Sequence, residues 1–540
     1  MNKKFVYTSL ALALSFGAMA QDKNAIKFSA PVNKDRAYQH LSILASDEYE
    51  GRETGKKGAW MAADYIKKQF QSFGLTGPVK GSADPYFQKV GLVTYDITQS
   101  ALSINGKPQA AKDFIIANSS VGMNGLNLSA NEIVFAGYGL TKEGYNDLEG
   151  VNVEGKVVMV FSAGDPTAKA PEGQAQNPRA AMQARAKMIG NLVKNKAKAI
   201  LLINVNFDNV PDYEKAAAAN GRIMLKNEAT AKALQKPITY TSITISPAVA
   251  NEIFKAANTT VEAVAKKISE TGKPASQAIN VSIVANAQKK EVEHRGENVL
   301  GFLEGSDAKL KHEVLVVTGH YDHIGLELNP NAPDKVNNGA DDDGSGTTGV
   351  LMLAEAFAKA KKAGKGPKRS ILFMTVVGEE KGLLGSEWYS ENPVFPIANT
   401  ITNLNIDMIG RGDDGRPGDN NFVYIIGSNM LSDDLDRIGK KANADYVNIV
   451  LDEKYNNRTD PNQFYYRSDH YNFAKFGIPV IFYFNGVHKD YHQPGDEVSK
   501  IDFPMLAKRA QLVYYTAWEL ANAEKRPVVN KNEDGTPKTN

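Results

Sequence analysis

From Asn298 onward, short continuous apolar runs alternate with helical patterns, and this alternation constrains the fold more than any other feature of the chain. Val314–Val317 and Ile371–Val377 are apolar almost throughout, as strands buried on both faces of a sheet are. Between them Val350, Leu353, Ala354, Phe357 and Ala358 recur at helical spacing, and Gly364 stands where that helix would stop. Thr402–Met408 and Val480–Phe484 supply two more runs. Strands that alternate with helices pack as a doubly wound, mostly parallel sheet with helices on both faces. An α/β fold is therefore expected here.

Several of these runs lead straight into side chains that bind cations. Val314–Thr318 is followed by Gly319-His320-Tyr321-Asp322-His323, and the helix is preceded by Gly339-Ala340-Asp341-Asp342-Asp343-Gly344-Ser345-Gly346. Ile371–Val377 runs into Gly378-Glu379-Glu380, Thr402–Ile406 into Asp407, and the run ending at Phe484 is followed by Tyr491-His492-Gln493-Pro494-Gly495-Asp496. In an open parallel sheet, ligands bind in the crevice outside the carboxyl ends of the strands, so these distant residues are expected to converge. Each alone has a bland reading: a core histidine, an acidic run capping a helix, a solvated turn. Together they crowd carboxylates into one crevice, where divalent cations offset the repulsion.

The chain contains no cysteine, so a metal site must use His and carboxylates. Two imidazoles and three carboxylates suit zinc, with cobalt or manganese as possible substitutes. Five such ligands exceed what one catalytic zinc usually takes and suit two ions about 3.5–4 Å apart sharing a carboxylate.

These strings together resemble the co-catalytic two-zinc peptidase family of bacterial leucyl aminopeptidases and glutamate carboxypeptidase. The resemblance implies that His320 and Asp407 hold one zinc, Glu380 and His492 the other, and Asp342 bridges both. It implies Glu379 as general base, Asp322 as the carboxylate orienting His320, and Tyr465, beside Tyr466, as a tyrosine stabilising the transition state. His488 is the alternative to His492. His323 and His470 are expected near the site in structural or supporting roles. Glu50-Gly51-Arg52 resembles the family's N-terminal segment. Phe135-Ala136-Gly137-Tyr138-Gly139 and Gly155-Lys156-Val157-Val158 resemble the protease-associated domain that many members carry as an insertion. The implied activity is aminopeptidase action on peptides. A carboxypeptidase or dipeptidase, a one-zinc glutaminyl cyclase relative, and a receptor-like protein without metals are the rivals. Lys381 and Arg411 are the basic residues inside the metal motifs. Neither makes an evident clamp for a substrate carboxylate, which favours a substrate with a free α-ammonium.

The chain has 540 residues, more than one hydrophobic core usually serves. The expected order is a signal peptide over 1–20, an N-terminal part of the peptidase domain over 21–87, and an inserted β-rich protease-associated domain over 88–287. The catalytic domain follows over 288–525, and a flexible tail over 526–540. In the first segment Lys3 and Lys4 precede an apolar run from Phe5 to Phe16, and Ala18-Met19-Ala20 provides a cleavage site. That implies a periplasmic or secreted protein without stable membrane insertion after signal removal. Loss of Lys3 and Lys4 takes the formal charge from +2 to zero, which leaves no basic excess for nucleic acid. Within 88–287 the runs Ile133–Phe135, Val157–Phe161, Ala199–Val205, Thr239–Ile245 and Val281–Val284 read as strands, and Met182–Val193 as a helix. No His and carboxylate cluster occurs there.

Overall fold

The computed structural model describes residues 21–163 and 178–538. The expected signal segment and most of the loop before the Pro178–Lys194 helix lie outside the described residues.

Eight strands form the main sheet: β1 Phe87–Lys89, β2 Glu297–Leu303, β3 Val314–His320, β4 Ser370–Val376, β5 Thr400–Ile406, β6 Phe422–Ile426, β7 Val450–Asp452 and β8 Val480–Phe484. Their order is β1-β2-β4-β3-β5-β8-β6-β7. The four central strands, β4, β3, β5 and β8, run parallel. Strand β2 is antiparallel to β4, and β6 is antiparallel to β8. The α/β fold is as expected, and the expected parallel strands form the sheet's centre, flanked by antiparallel pairings that make the sheet mixed. Alternate side chains face opposite ways: Leu315 and Val317 enter the core on one face, Val314 and Val316 the core on the other.

The helix Gly346–Lys362 is buried along nearly its whole length, not on one face only. Helices Lys34–Leu44 and Lys57–Phe73 contribute Leu41, Leu44, Ala62, Ile66 and Phe70 to the core it shares. The helix Phe503–Asn522 stacks Trp518 on Phe357, with ring centroids 5.7 Å apart. Lys57–Phe73 ends at Gly74 in a left-handed conformation, the usual place for glycine.

Residues 92–294 build a six-stranded and a five-stranded sheet around their own core, which runs from Leu102 to Ala287, and a small two-stranded sheet at residues 141–146. The expected short strand at Val281–Val284 is part of a much longer one, Ile283–His294, paired antiparallel with Leu92–Ile104. Its second half, from Gln288 to His294, is largely exposed and lacks apolar alternation, so hydrophobicity alone does not reveal it. The tail expected to be loose is tied to the main body through residue 538. Arg526 donates to the carbonyls of Ala398 and Thr400, and Lys531 pairs with Asp433 at 2.5 Å.

Candidate metal centre

The parallel strands deliver the site residues to one edge. Register pairs His320, the last residue of β3, with Val376, the last of β4. Glu379 and Glu380 follow one short turn later, Asp407 directly follows β5, and His492 lies in the loop after β8.

The three consecutive aspartates serve three purposes. Asp343 accepts the backbone amides of His320 (3.1 Å), Gly346 (2.8 Å) and Met408 (3.0 Å), which ties the ends of β3 and β5 to the helix start. Asp341 accepts from Gly410 N (2.6 Å) and Ser345 Oγ (2.9 Å) and lies 3.2 Å from His488 Nε2. Asp342 alone faces the crevice from both oxygens. Its Oδ1 is 3.3 Å from His320 Nε2, and its Oδ2 is 3.0 Å from His492 Nε2 and 3.7 Å from His323 Nδ1. The loop is held by Asp496, whose carboxylate accepts the amides of Asp341 (3.0 Å) and Asp342 (3.1 Å). Gly339 opens the loop at φ +55, and a Cβ there would meet the Asp342 carbonyl at 2.3 Å and the His323 ring at 2.5 Å. Glycine is required.

Arg52 locks the loop from the other side. It is buried, and its guanidinium donates to the carbonyls of Tyr321 (2.8 Å), Leu44 (2.7 Å), Asn338 (2.6 Å) and Gly339 (2.8 Å). The Glu50-Gly51-Arg52 segment therefore contains a central tether between the N-terminal helices, β3 and the aspartate loop. Arg52→Met would orphan four buried carbonyls, and its expected cost is about 3–5 kcal/mol. Urea unfolding followed by near-ultraviolet circular dichroism checks this; a midpoint within error of the parent would mean that water replaces the guanidinium.

Two groups of ligand atoms result. His323, Asp342, Glu380 and His492 form one; His320, Glu379 and Asp407 form the other, with all atoms of each group within 4.8 Å of one another. Glu380 lies 3.1 Å from His492 Nε2 and 2.8 Å from His323 Nδ1. His320 Nε2 lies 3.7 Å from Asp407 and 3.9 Å from Glu379. Yet His320 Nε2, His323 Nδ1, Asp342 Oδ2, Glu380 Oε1 and His492 Nε2 are buried with no hydrogen bond. Buried polar atoms left this way are costly. Atoms that converge without donor–acceptor alignment face common points, as the ligands of a cation do.

The electrostatics agree. Burial alone would lower His492, but the carboxylates of Asp342 and Glu380 outweigh it and drive the imidazole up to about 10. Burial would raise Asp342; the imidazoles of His320, His492 and His323 overcome it and hold the carboxyl well below the usual range. Burial holds Glu379 well above the usual range, opposed by His320 and reinforced by Asp407 and Glu380. The crevice is short of positive charge.

The supporting contacts sort the remaining candidates. His320 Nδ1 is 3.1 Å from the Asp322 carbonyl and 3.9 Å from its carboxylate, which accepts from Thr54 Oγ1 at 2.6 Å. Ser468 Oγ donates to Asp407 at 2.5 Å. His488 belongs to the Asp341 contact behind the loop, and it is His492 that joins the group at Glu380. His470 is a core residue stacked on Phe482, with centroids 4.8 Å apart. His323 stands inside the ligand group, closer than the supporting role expected of it.

A cleft opens beside the two groups, lined by Met408, Phe464, Arg467, Phe482, Phe484, Val487 and Tyr491 together with Asp342, Glu379 and Asp407. Tyr465 is not among its walls. That ring is buried against Gly427, Tyr466 and His470. The tyrosine in the cleft is Tyr491, stacked on His492 with centroids 3.9 Å apart. The departure has a simple cause: the short helical turn Phe464–Tyr466 turns Phe464 to the cleft and Tyr465 into the core.

Residues 298–517 match the model of Peptidase family M28. This segment is an M28 peptidase domain. Among curated relatives, a "Probable leucine aminopeptidase" of Arthroderma benhamiae is 31% identical over 219 residues, 39% of this chain and 56% of that protein. A "Probable zinc metalloprotease" of Pyrenophora teres f. teres is 29% identical over 269 residues, 43% of this chain and 52% of that protein. The chain thus spans little more than half the length of these relatives. The structure of a zinc aminopeptidase from Bacillus subtilis superposes with a TM-score of 0.50 at 18% identity, covering 91% of this chain and 96% of that one. At that identity the likeness is one of fold. The M28 domain contains all five residues expected to hold metal, while Arg52 contacts its metal loop from outside the matched segment. Among the described residues, no helix is long and apolar enough to cross a membrane.

Proposed function

We propose that this protein is a zinc-dependent aminopeptidase that removes N-terminal residues from peptides, with two Zn2+ ions per chain. The observation that carries this reading is the pair of ligand groups meeting at Asp342, with buried lone pairs that no hydrogen bond satisfies. His320, Asp407 and Asp342 Oδ1 would hold one ion; Asp342 Oδ2, Glu380 and His492 the other, with His323 at hand. When bound, the ions supply Lewis acidity and lower the pKa of coordinated water.

The chain's own residues do the rest. Glu379 lines the cleft without being needed to complete either set, so it is free to take a proton and return it to the leaving amine. Asp322 and the Glu379 backbone amide are in contact at 3.3 Å, which links the orientation of His320 to that of the base. Tyr491 replaces Tyr465 as the hydroxyl available beside the scissile bond. Met408, Phe464, Phe482 and Phe484 offer an apolar wall to a substrate side chain. Lys381 is paired with Glu53 at 3.3 Å, and Arg411 with Asp490 at 2.9 Å, so neither is a free clamp for a carboxylate.

Residues 88–287 are proposed as the inserted domain that shapes access without supplying chemistry. Arg222, from that region, reaches the Lys381 carbonyl at 3.1 Å, beside the turn that carries Glu379. The composition of residues 1–20 supports export.

The test uses a pentapeptide with an apolar first residue, its N-acetylated form and its C-amidated form. Acetylation is expected to abolish cleavage and amidation to leave the rate nearly unchanged. The reverse pattern would overturn the aminopeptidase reading and point to a carboxypeptidase on the same metal centre.

A further inference from the structure

We propose that Arg467 is a specificity-determining residue that binds a carboxylate on the substrate, an inference that rests on the hydrolase reading above. Arg467 lines the same cleft as Asp342, Glu379 and Asp407. Its guanidinium carbon lies 5.0 Å from the centroid of Phe464, another wall of the cleft. The other basic side chains near the centre are satisfied. Arg52 spends its donors on four carbonyls, Lys381 is paired with Glu53, and Arg411 with Asp490. Arg467 differs: among the described residues no carboxylate lies within ion-pair distance of it and no side-chain hydrogen bond holds it. It is also solvent-exposed, so a substrate can reach it without displacing a partner.

The surroundings decide the sign and chemistry of the ligand. The acidic part of the lining, Asp342, Glu379 and Asp407, is where cations and an α-ammonium belong. The cation–π contact with Phe464 uses the guanidinium's charge and consumes none of its N–H donors. A planar fork of that kind matches a carboxylate, with two parallel hydrogen bonds. The cleft thus carries both signs of charge in its lining, the Arg467 guanidinium and the carboxylates of Asp342, Glu379 and Asp407. Two substrate groups could supply the carboxylate: the C-terminus of a dipeptide, or the side chain of an acidic first residue.

The experiment compares substrates that differ in that group alone. One arm sets Leu-Gly against Leu-Gly amide, and the other sets glutamyl-anilide against glutaminyl-anilide. The readout is the ratio of kcat/KM within each pair, for the parent enzyme, Arg467→Gln, Arg467→Lys and Arg467→Glu. In one arm the parent is expected to favour the carboxylate, and the ratio is expected to fall about tenfold or more in Arg467→Gln. Arg467→Lys should restore part of it, and Arg467→Glu should take the ratio below that of Arg467→Gln. The arm that responds identifies the source of the carboxylate. Ratios unchanged across the variants, with neutral peptides still cleaved by the parent, would overturn this inference alone. A parent inert toward every peptide would overturn the hydrolase reading and this inference with it.

Discussion

Glu379→Gln is expected to lower turnover about 10³-fold or more while leaving the zinc content of the chain near that of the parent. General acid–base catalysis typically contributes two to four orders of magnitude, and the amide keeps the shape of the side chain but cannot shuttle a proton. The geometry makes the outcome informative because Glu379 stands in two possible roles. Its Oε2 lies 3.9 Å from His320 Nε2, close enough to be counted with the His320 and Asp407 group. Asp342 Oδ1, at 3.3 Å, is nearer to the same nitrogen and can complete that set without it. Metal analysis of the purified variant, beside its kcat, separates base from ligand. Zinc lost together with activity would make Glu379 a ligand and leave the general base to be found elsewhere in the cleft.

Asp342→Ala should have the opposite signature: metal content falling from about two ions per chain to below one, with activity lost as a consequence. The reason lies in the two oxygens of one carboxylate. Oδ1 faces His320, and Oδ2 faces His492 and His323. No other side chain in either group reaches across both. Removing it leaves His320 and Asp407 on one side and His323, Glu380 and His492 on the other, with nothing to offset repulsion between two cations. Zinc titration of the chelator-treated variant measures this directly. One ion retained at parental affinity would confine Asp342 to a single site, and His323 would then be the natural replacement in the other.

The two substitutions act on neighbouring atoms but at different levels of the molecule. In the proposed mechanism Glu379 belongs to the chemistry of the cleft, whereas Asp342 belongs to the architecture that makes a cleft of this charge tolerable. Asp343 and Asp341, on either side of Asp342, neutralise backbone amides at the ends of β3 and β5 and at the helix start. Their neighbours' carboxylates would be an intolerable cluster were those amides, Arg52 and the imidazoles not arranged around them. In the proposed centre the Asp-Asp-Asp run thus gives one carboxylate to a cation and two to the backbone.

The sequence by itself determined the parallel centre of the sheet and the crevice at its edge. Val314–Val317, Ile371–Val377, Thr402–Ile406 and Val480–Phe484 are apolar enough to be strands buried on both faces, and each is followed within a few residues by His or carboxylates. Strand direction then places those residues on one side, whatever the loops do. Tertiary structure alone decided what surrounds them. Arg52 comes from nearly 270 positions before the Tyr321 carbonyl it binds, and Asp496 reaches back about 155 positions to the amides of the aspartate loop. No local pattern encodes such contacts. Whether Phe464 or Tyr465 faces the cleft depends on the rotation of a three-residue turn. His323 joins the ligands because Gly339 has no side chain to keep its ring away. Among the described residues Arg467 forms no ion pair, because no carboxylate of another segment is brought beside it where it lines the cleft. Apolar periodicity acts over neighbouring residues and can be read along the chain, but side-chain pairing depends on which surfaces meet when the chain closes on itself.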